Sequence, residues 1–316
     1  MESVAAIGIS EIEFQTEALG EIMLDYKLLQ ALVAVVEQGG FERGAALLGL
    51  SQSAISQRIK LLEARVGQPV LIRSTPPTTT DLGRRLLNHV QQVRLLERDL
   101  RAVVPALEEP APERIRIAIN ADSVATWWVA AVAEFCIEQN VLLDLVVEDQ
   151  DVGLNRMKAG EVAACLCASE RPIAGARSVP VGAMRYLGLA SPAFIARHFE
   201  SGVDAIALGR APAIVFGPDD YLQHRYIASL GGAGAFPYHL CPSSEGFVRM
   251  VCAGLGWGLL PEMQVKDEMR GGALRELVAG HVVDVPLYWH HWRNGGALLE
   301  LLGKRLMDTR QGDLRG

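Results

Sequence analysis

A change in hydrophobic pattern near residue 110 divides this chain into two regions that must fold differently. Before it, apolar residues recur every three or four positions, as in amphipathic helices; from Ile115 onward, short apolar runs alternate with helical segments. Prolines and glutamates between residues 105 and 112 mark a linker. The second pattern predicts an α/β body with mostly parallel strands, and its length suggests two lobes with a cleft where the strand order reverses.

The first region contains three short helical patterns, and the third has the properties of a DNA-recognition helix. Ser51 is a favoured N-cap residue, and Ile55 and Ile59 fall on one apolar face of the helix that follows. The opposite face carries small hydrogen-bonding side chains that can reach base edges in the major groove, and nearby cations can neutralise phosphates. The predicted DNA-binding residues are Ser51, Gln52, Ser53, Ser56, Gln57, Arg58, Lys60 and Arg73. On the residues alone, the alternative is an ordinary amphipathic helix with a solvated face.

The charge distribution agrees with a nucleic-acid partner at one end of the chain. The formal net charge is −7, yet residues 24–104 hold eleven Lys and Arg against seven Asp and Glu. A mildly basic segment on an acidic body allows nucleic acid to bind at that segment.

A long helix is predicted next, beginning at the capping residues Thr80 and Asp81. Its apolar positions continue for about seven turns, with charged residues outside the seam. A helix of this length with no domain around it usually pairs with a copy of itself, so the pattern predicts a dimer. The seam consists of Leu82, Leu86, Val90, Val93, Leu96, Leu100, Val104 and Leu107.

Other function classes find no support in the residues. The apolar stretches are shorter than the ~20 residues of a membrane helix, and the first 21 residues carry five Glu and no Lys or Arg, unlike a secretory signal. No catalytic triad or carboxylate pair has a defensible spacing, and the adjacent His290 and His291 would point to opposite faces of a strand. Cys165 and Cys167 are predicted to be buried on one face of a strand. We therefore expect a cytoplasmic protein that is not an enzyme and that holds no metal or cofactor.

Three N-terminal motifs match those of a known family. They are residues 50–63 (LSQSAISQRIKLLE), residues 67–73 (GQPVLIR) and the Thr-x-x-Gly pair Thr80 and Gly83. These segments resemble the LysR-type transcriptional regulators. The resemblance implies a multidomain α+β fold: a winged helix-turn-helix, a dimerising linker helix and a two-lobed α/β effector domain like a periplasmic binding protein. The implied bounds are 1–22 for an extra disordered tail, 23–79 for the DNA-binding domain, 80–107 for the linker helix and 113–310 for the effector domain, with lobe 1 at about 113–181 and 287–310 and lobe 2 at about 182–286.

A second set of matching segments runs along the rest of the chain. They are residues 73–77 (RSTPP), 118–127 (AINADSVATW), 147–151 (VEDQD), 243–248 (SSEGFV) and 287–290 (LYWH). These segments resemble one branch of the family, the ArgP/LysG regulators of basic amino acid export. The resemblance implies a transcriptional activator that binds operator DNA, senses L-arginine or L-lysine, and controls an exporter gene. It also implies homodimers, homotetramers and contact with RNA polymerase.

Polar residues at strand ends predict the effector site. Asn120 and Asp122 follow the first strand of the α/β region, where an open sheet of this class binds ligand. A carboxylate there suits an ammonium or guanidinium group, Trp127 offers a flat wall for it, and Ser123 is predicted to cap the following helix. The predicted effector-binding residues are Asn120, Asp122, Ser123, Thr126, Trp127, Glu148, Asp149, Ser243 and Ser244. For each of them a purely structural role is the alternative, because an Asp or Ser before a helix is more often only a cap.

Two alternatives remain open at the level of function. One is a LysR-type regulator with a different small-molecule or redox effector, although acidic residues at the strand ends argue against an anionic one. The other is a small-molecule binding protein or an enzyme with an incidental helical N-terminus, which the long helix argues against.

Overall fold

The computed structural model describes residues 24–104, 112–148, 153–309 and 314–315. The predicted tail at 1–22, the seam residue Leu107 and the candidate Asp149 lie outside the described residues. The chain divides into two compact units between Val90 and Gln91. Among the described residues, no helix is long and apolar enough to cross a membrane.

The first unit is mainly helical and contains the predicted elements. Helices α1 (Tyr26–Glu37), α2 (Phe41–Leu47) and α3 (Gln52–Val66) precede a wing formed by β1 (Leu71–Ile72) and β2 (Thr78–Thr79), which pair antiparallel. The predicted cap of α3 is confirmed. Its N-cap side chain Ser51 accepts a hydrogen bond from the Ala54 amide at 3.2 Å, and Gly67 ends the helix in the left-handed conformation.

The Thr-x-x-Gly pair fastens the start of helix α4 (Asp81–Val103) to the wing. The Thr80 hydroxyl accepts a hydrogen bond from the Gly83 amide at 3.1 Å and donates one to the Pro69 carbonyl at 2.9 Å. A Cβ atom at Gly83 would lie 2.1 Å from the Val70 carbonyl oxygen, a distance no real contact allows. Only glycine therefore lets the helix approach the wing this closely.

Helix α4 begins in the first unit and ends in the second. Near its start, Leu86 and Val90 are buried in the core of the first unit. Further along, Leu96, Leu100 and Val103 are 47%, 52% and 74% exposed. Pairing of this helix with a second chain stays a prediction. Such pairing would cover these exposed apolar side chains.

The second unit is built on a seven-stranded sheet in the order β10–β6–β11–β5–β3–β4, with β9 paired to β6. The strands are β3 (Glu113–Asn120), β4 (Val141–Glu148), β5 (Ala164–Cys167), β6 (Ala176–Ala190), β9 (Gly258–Pro261), β10 (Arg275–Glu276) and β11 (Val282–Trp292). A separate parallel pair consists of β7 (Ala213–Val215) and β8 (Tyr238–Leu240). The remaining helices are α5 (Ala121–Ala125), α6 (Trp128–Glu138), α7 (Gly153–Lys158), α8 (Pro192–His198), α9 (Ala205–Arg210), α10 (Leu222–Ser229), α11 (Ser244–Cys252), α12 (Lys266–Arg270) and α13 (Gly296–Thr309).

The prediction of mostly parallel strands is wrong for this sheet. Strand β3 pairs parallel with β4 and β5, but β6 and β11 pair antiparallel with each other and with their other neighbours. These two strands are 15 and 11 residues long, and only their apolar parts had been recognisable as strands. Their register shifts between Leu287 and Tyr288, beside the predicted lobe boundary. The boundary itself stays a prediction.

The core of the second unit is dominated by large aromatic side chains. Trp128, Trp257 and Trp289 are fully buried, together with Tyr186 of β6. After β3 the chain first makes the short helix α5 and then breaks at Thr126, so the longer helix α6 begins only at Trp128. Burial of Cys165 and Cys167 is confirmed, at 0% and 1% exposure.

Candidate functional site

A cavity of about 30 Å³ lies at the carboxyl ends of β3 and β4 in the second unit. The last residues of these strands, Asn120 and Glu148, are direct partners in the parallel register, so the sheet itself places them together. A water needs roughly 10–15 Å³ of such space, so the cavity admits about two waters and has to open to admit an amino acid. It is lined by Asn120, Ala121, Asp122, Glu148, Phe216, Asp220, Leu222, Ser244, Phe247, Leu259, Leu260 and Pro261.

Asp122 is the centre of the polar network in this cavity. Its two carboxyl oxygens are hydrogen-bonded to the Ser244 hydroxyl at 2.6 Å and to the Tyr186 hydroxyl at 2.9 Å. Burial raises the pKa of Asp122, the two hydroxyl donors lower it, and the nearby Asp220 raises it, with a net increase. No Lys or Arg side chain in the described ranges forms an ion pair with it. Asp122 is therefore a buried carboxyl group surrounded by hydroxyls, with no counter-ion from the described protein.

Ser244 connects this carboxyl group to a second polar side chain. Its hydroxyl oxygen lies 3.0 Å from Gln264 Oε1 as well as 2.6 Å from Asp122. One hydroxyl proton cannot be donated to two acceptors at once. Two arrangements satisfy both contacts. With a proton on Asp122, Asp122 donates to Ser244 while Ser244 donates to Gln264; with the nitrogen and oxygen of the Gln264 amide exchanged, Gln264 donates to Ser244 while Ser244 donates to Asp122.

The other two acidic residues of the cavity already have partners. Glu148 accepts a hydrogen bond from Arg156 Nε at 2.6 Å, and Arg156 also bonds to Glu161 at 2.7 Å. These carboxylates raise the pKa of Arg156, Glu161 having the larger effect. Asp220 is buried and accepts hydrogen bonds from the backbone amides of Phe216 and Leu222 at 2.9 and 3.0 Å. Asp122 is thus the carboxyl group best able to exchange its partners for a ligand.

The side chains of Asn120 and Ser123 are buried without hydrogen-bond partners among the described residues. Asn120 is 4% exposed, and both polar atoms of its amide lack a partner in the described parts of the chain, although it lines the cavity. The Ser123 hydroxyl is also unpartnered and fully buried. The prediction that Ser123 caps a helix is wrong, because Asn120 occupies the N-cap position of α5. Buried polar groups without partners are rare enough to call for an explanation.

Four predicted site residues do not line the cavity: Ser123, Thr126, Trp127 and Ser243. Trp127 is 2% exposed and packs edge-on against Trp128 in the core, so the prediction that it forms a flat wall for ligand is wrong. Thr126 donates its hydroxyl to the Asp122 carbonyl at 2.5 Å, which is a structural bond within the loop. Ser243 has the structural role that was the alternative, since it caps α11 by accepting from the Gly246 amide at 3.1 Å.

The sequence had not identified Tyr186, Asp220 and Gln264 as members of the network. Tyr186 belongs to an apolar run of β6 and showed no sign of a polar role. Asp220 ends the turn sequence Gly217 to Asp220 after β7, and a turn at a strand end was a signal that could have pointed to it.

In the first unit, four of the eight predicted DNA-binding residues line one polar groove. Gln52, Ser56 and Lys60 of α3 and Arg73 of the wing line a groove of about 710 Å³ together with Arg43, which the sequence had not singled out. Ser53 and Gln57 are exposed beside it, while Arg58 is half-buried on the same helix. Ser51 is occupied as the helix cap and lies 2.9 Å from the Ser53 hydroxyl. That these side chains contact DNA stays a prediction.

Comparison with known families divides the chain in the same way as its fold. Residues 26–84 match the family described as bacterial regulatory helix-turn-helix protein, lysR family. Residues 108–306 match the LysR substrate binding domain.

Individual relatives cover nearly the whole chain. A protein named HTH-type transcriptional regulator ArgP from Pseudomonas fluorescens strain Pf0-1 is 72% identical over 286 residues, which is 90% of this chain and 96% of that protein. The crystal structure of ArgP from Mycobacterium tuberculosis has a TM-score of 0.77 at 37% identity, covering 93% of this chain and all of that one. Full-length LysG from Corynebacterium glutamicum with bound effector Arg has a TM-score of 0.66 at 31% identity, with 93% of this chain and 100% of that chain covered.

Proposed function

Because this chain belongs to the LysR family of bacterial transcriptional regulators, we propose that it controls transcription in response to a basic amino acid, L-arginine or L-lysine. The observation that carries this proposal is Asp122, a buried carboxyl group without a cation, at the end of the strand where this class of sheet binds ligands. A buried carboxylate is costly unless a cation or hydrogen-bond donors compensate it. A cationic ligand would supply that compensation.

The rest of the cavity suits the long side chain of such a ligand. Phe216, Leu222, Phe247 and Leu259 provide apolar walls against which the methylene groups of arginine or lysine can pack. The effector named for the LysG structure, Arg, belongs to the same chemical class. Opening is required for entry, since the cavity holds only about two waters as described.

The remaining steps of the proposal concern DNA. Two chains pair through residues 80–107 and place their α3 helices in successive major grooves, and such dimers join into tetramers. The effector binds one arrangement of the assembly better than another and so changes the spacing of the DNA-reading dimers. The proposed output, in the cytoplasm, is activation of an amino acid exporter gene through contact with RNA polymerase.

Calorimetric titration of the full chain with L-arginine, L-lysine and L-leucine tests the effector class. We expect heat of binding from at least one basic amino acid and none from leucine, and a loss of roughly thirtyfold or more in affinity in Asp122→Asn. The estimate follows from the cost of removing one partner of a buried charge pair, at least about 2 kcal/mol.

Asp144 provides the matched control. It lies on β4 in an exposed ion pair with Arg116 at 3.4 Å, so Asp144→Asn removes the same charge away from the cavity and should leave affinity unchanged. Failure of both basic amino acids to bind, or binding of leucine with equal affinity, would refute the proposed effector class and leave the family assignment in place.

A further inference from the structure

We propose that this site recognises the α-amino acid head of its effector, with Asn120 binding the α-carboxylate and Asp122 the α-ammonium. The inference rests on the proposed function and specifies which end of the ligand lies at the end of β3. It predicts that the site rejects the decarboxylated amines agmatine and cadaverine, which keep the basic side chain.

The unpartnered amide of Asn120 carries the argument. Its nitrogen and oxygen lack partners among the described residues, Asn120 is 4% exposed, and it lines the cavity. A buried amide donor needs an acceptor. Exchanging the assignment of nitrogen and oxygen does not change this, because both positions are unpartnered.

A basic side chain cannot supply that acceptor. The guanidinium of arginine and the ε-ammonium of lysine consist only of donors, so neither satisfies the amide N–H of Asn120. The one strong acceptor on either amino acid is its α-carboxylate. The donor at Asn120 therefore selects the carboxylate end of the ligand.

Asp122 has the opposite character and lies two residues further along the same strand-to-helix turn. Its ionised carboxylate only accepts hydrogen bonds, and its present donors are two neutral hydroxyls that an ammonium can outcompete. The α-ammonium and the α-carboxylate of an amino acid are attached to one carbon atom, so they require a donor and an acceptor side by side. Asn120 and Asp122 provide this pair in one cavity, and the apolar walls remain for the side chain.

The alternative orientation places the side-chain cation at Asp122 and the head group elsewhere. It would give Asn120 no part in ligand recognition and leave its amide with only cavity water as a partner. An amide that hydrogen-bonds the ligand should make the site reject an analogue that lacks the bonded group, because the amide then stays unpaired.

The test compares four ligands by calorimetry on the full chain: L-arginine, agmatine, L-lysine and cadaverine. We expect each amine to bind at least about tenfold more weakly than its parent amino acid. Asn120→Ala should weaken arginine binding by about the same factor while leaving agmatine affinity unchanged. Asn155→Ala, on the exposed surface of α7, is the control and should change neither.

The outcomes separate the two proposals. If agmatine binds as tightly as arginine, or if Asn120→Ala weakens both ligands equally, the head-group assignment is wrong although a cationic effector is retained. If neither arginine nor lysine binds, the proposed effector class fails and this inference fails with it. Circular dichroism of Asn120→Ala must match the wild type, and a variant that keeps agmatine binding is folded by that criterion as well.

Discussion

Effector affinity should rise with pH, because a cationic ligand requires Asp122 to be ionised and the free site favours the protonated form. Burial and Asp220 raise the pKa of Asp122, while its hydroxyl partners only partly offset them. Binding of arginine would then release one proton. Below the raised pKa of the free site, affinity should increase about tenfold for each pH unit and level off above it.

The assay is calorimetric titration with L-arginine between pH 4.5 and pH 8, a range in which arginine does not change its own charge. At one pH, repeating the titration in buffers of different ionisation enthalpy counts the released protons. The groups that face Asp122 are the hydroxyls of Tyr186 and Ser244, Asp220, which accepts hydrogen bonds from two backbone amides, and Glu148, which is paired with Arg156. A carboxyl group with the ordinary pKa of 3.8 would be ionised throughout and give a flat curve.

The raised pKa of Asp122 also determines how the stability of the ligand-free protein changes with pH. A group whose pKa is raised on folding contributes stability at low pH and loses it as pH rises through the folded-state value. Asp122→Asn removes the buried charge, so it should raise the melting temperature of the free protein at pH 8 and have a smaller effect near pH 4.5. Affinity that is independent of pH, together with a lower melting temperature of Asp122→Asn at pH 8, would refute the reasoning.

Three further predictions concern the DNA-binding unit and helix α4. Gly83→Ala should lower the free energy of unfolding by about 1–3 kcal/mol in chemical denaturation, because its Cβ would collide with the wing, whereas Gly40→Ala, with open space around it, should cost less than about 1 kcal/mol. Ser53→Ala or Gln57→Ala should weaken binding to specific DNA by about 1–3 kcal/mol in gel-shift titrations and leave non-specific binding nearly unchanged; equal losses would mean that these residues contact only the backbone. Leu100→Glu, at a half-exposed position of α4, should shift the chain toward monomer in analytical ultracentrifugation, and an unchanged oligomer would argue against pairing through this helix.

The first unit could be predicted almost residue by residue because its signals are local. Ser51 as a cap, Gly67 as a helix end and the apolar stripe containing Ile55 and Ile59 each act within a few positions of the chain. The sheet of the second unit was predicted less well. Whether β6 and β11 run parallel or antiparallel is decided by partners about a hundred residues away, and a strand carries the same apolar pattern in either direction.

The candidate site shows the same division between local and distant determinants. Asn120, Asp122 and Glu148 were predictable because a parallel register brings the ends of neighbouring strands together, and Ser244 reached the same cavity from a distant helix. The predicted ligand contact of Trp127 was wrong because its side chain is buried in the core. The sequence shows that this side chain is large and flat, but it does not show on which side of the turn the core lies.

What the sequence could not show is the state of Asp122, and that state gives the site its chemistry. The residue is acidic in any fold, but its behaviour depends on burial, on the hydroxyl of Tyr186 from β6 and on the absence of a nearby cation among the described residues. Glu148 illustrates the contrast, since Arg156 neutralises it from the next helix. Two carboxyl groups at the ends of paired strands therefore differ in function: one is already compensated by the protein, and the other is left for a ligand to compensate.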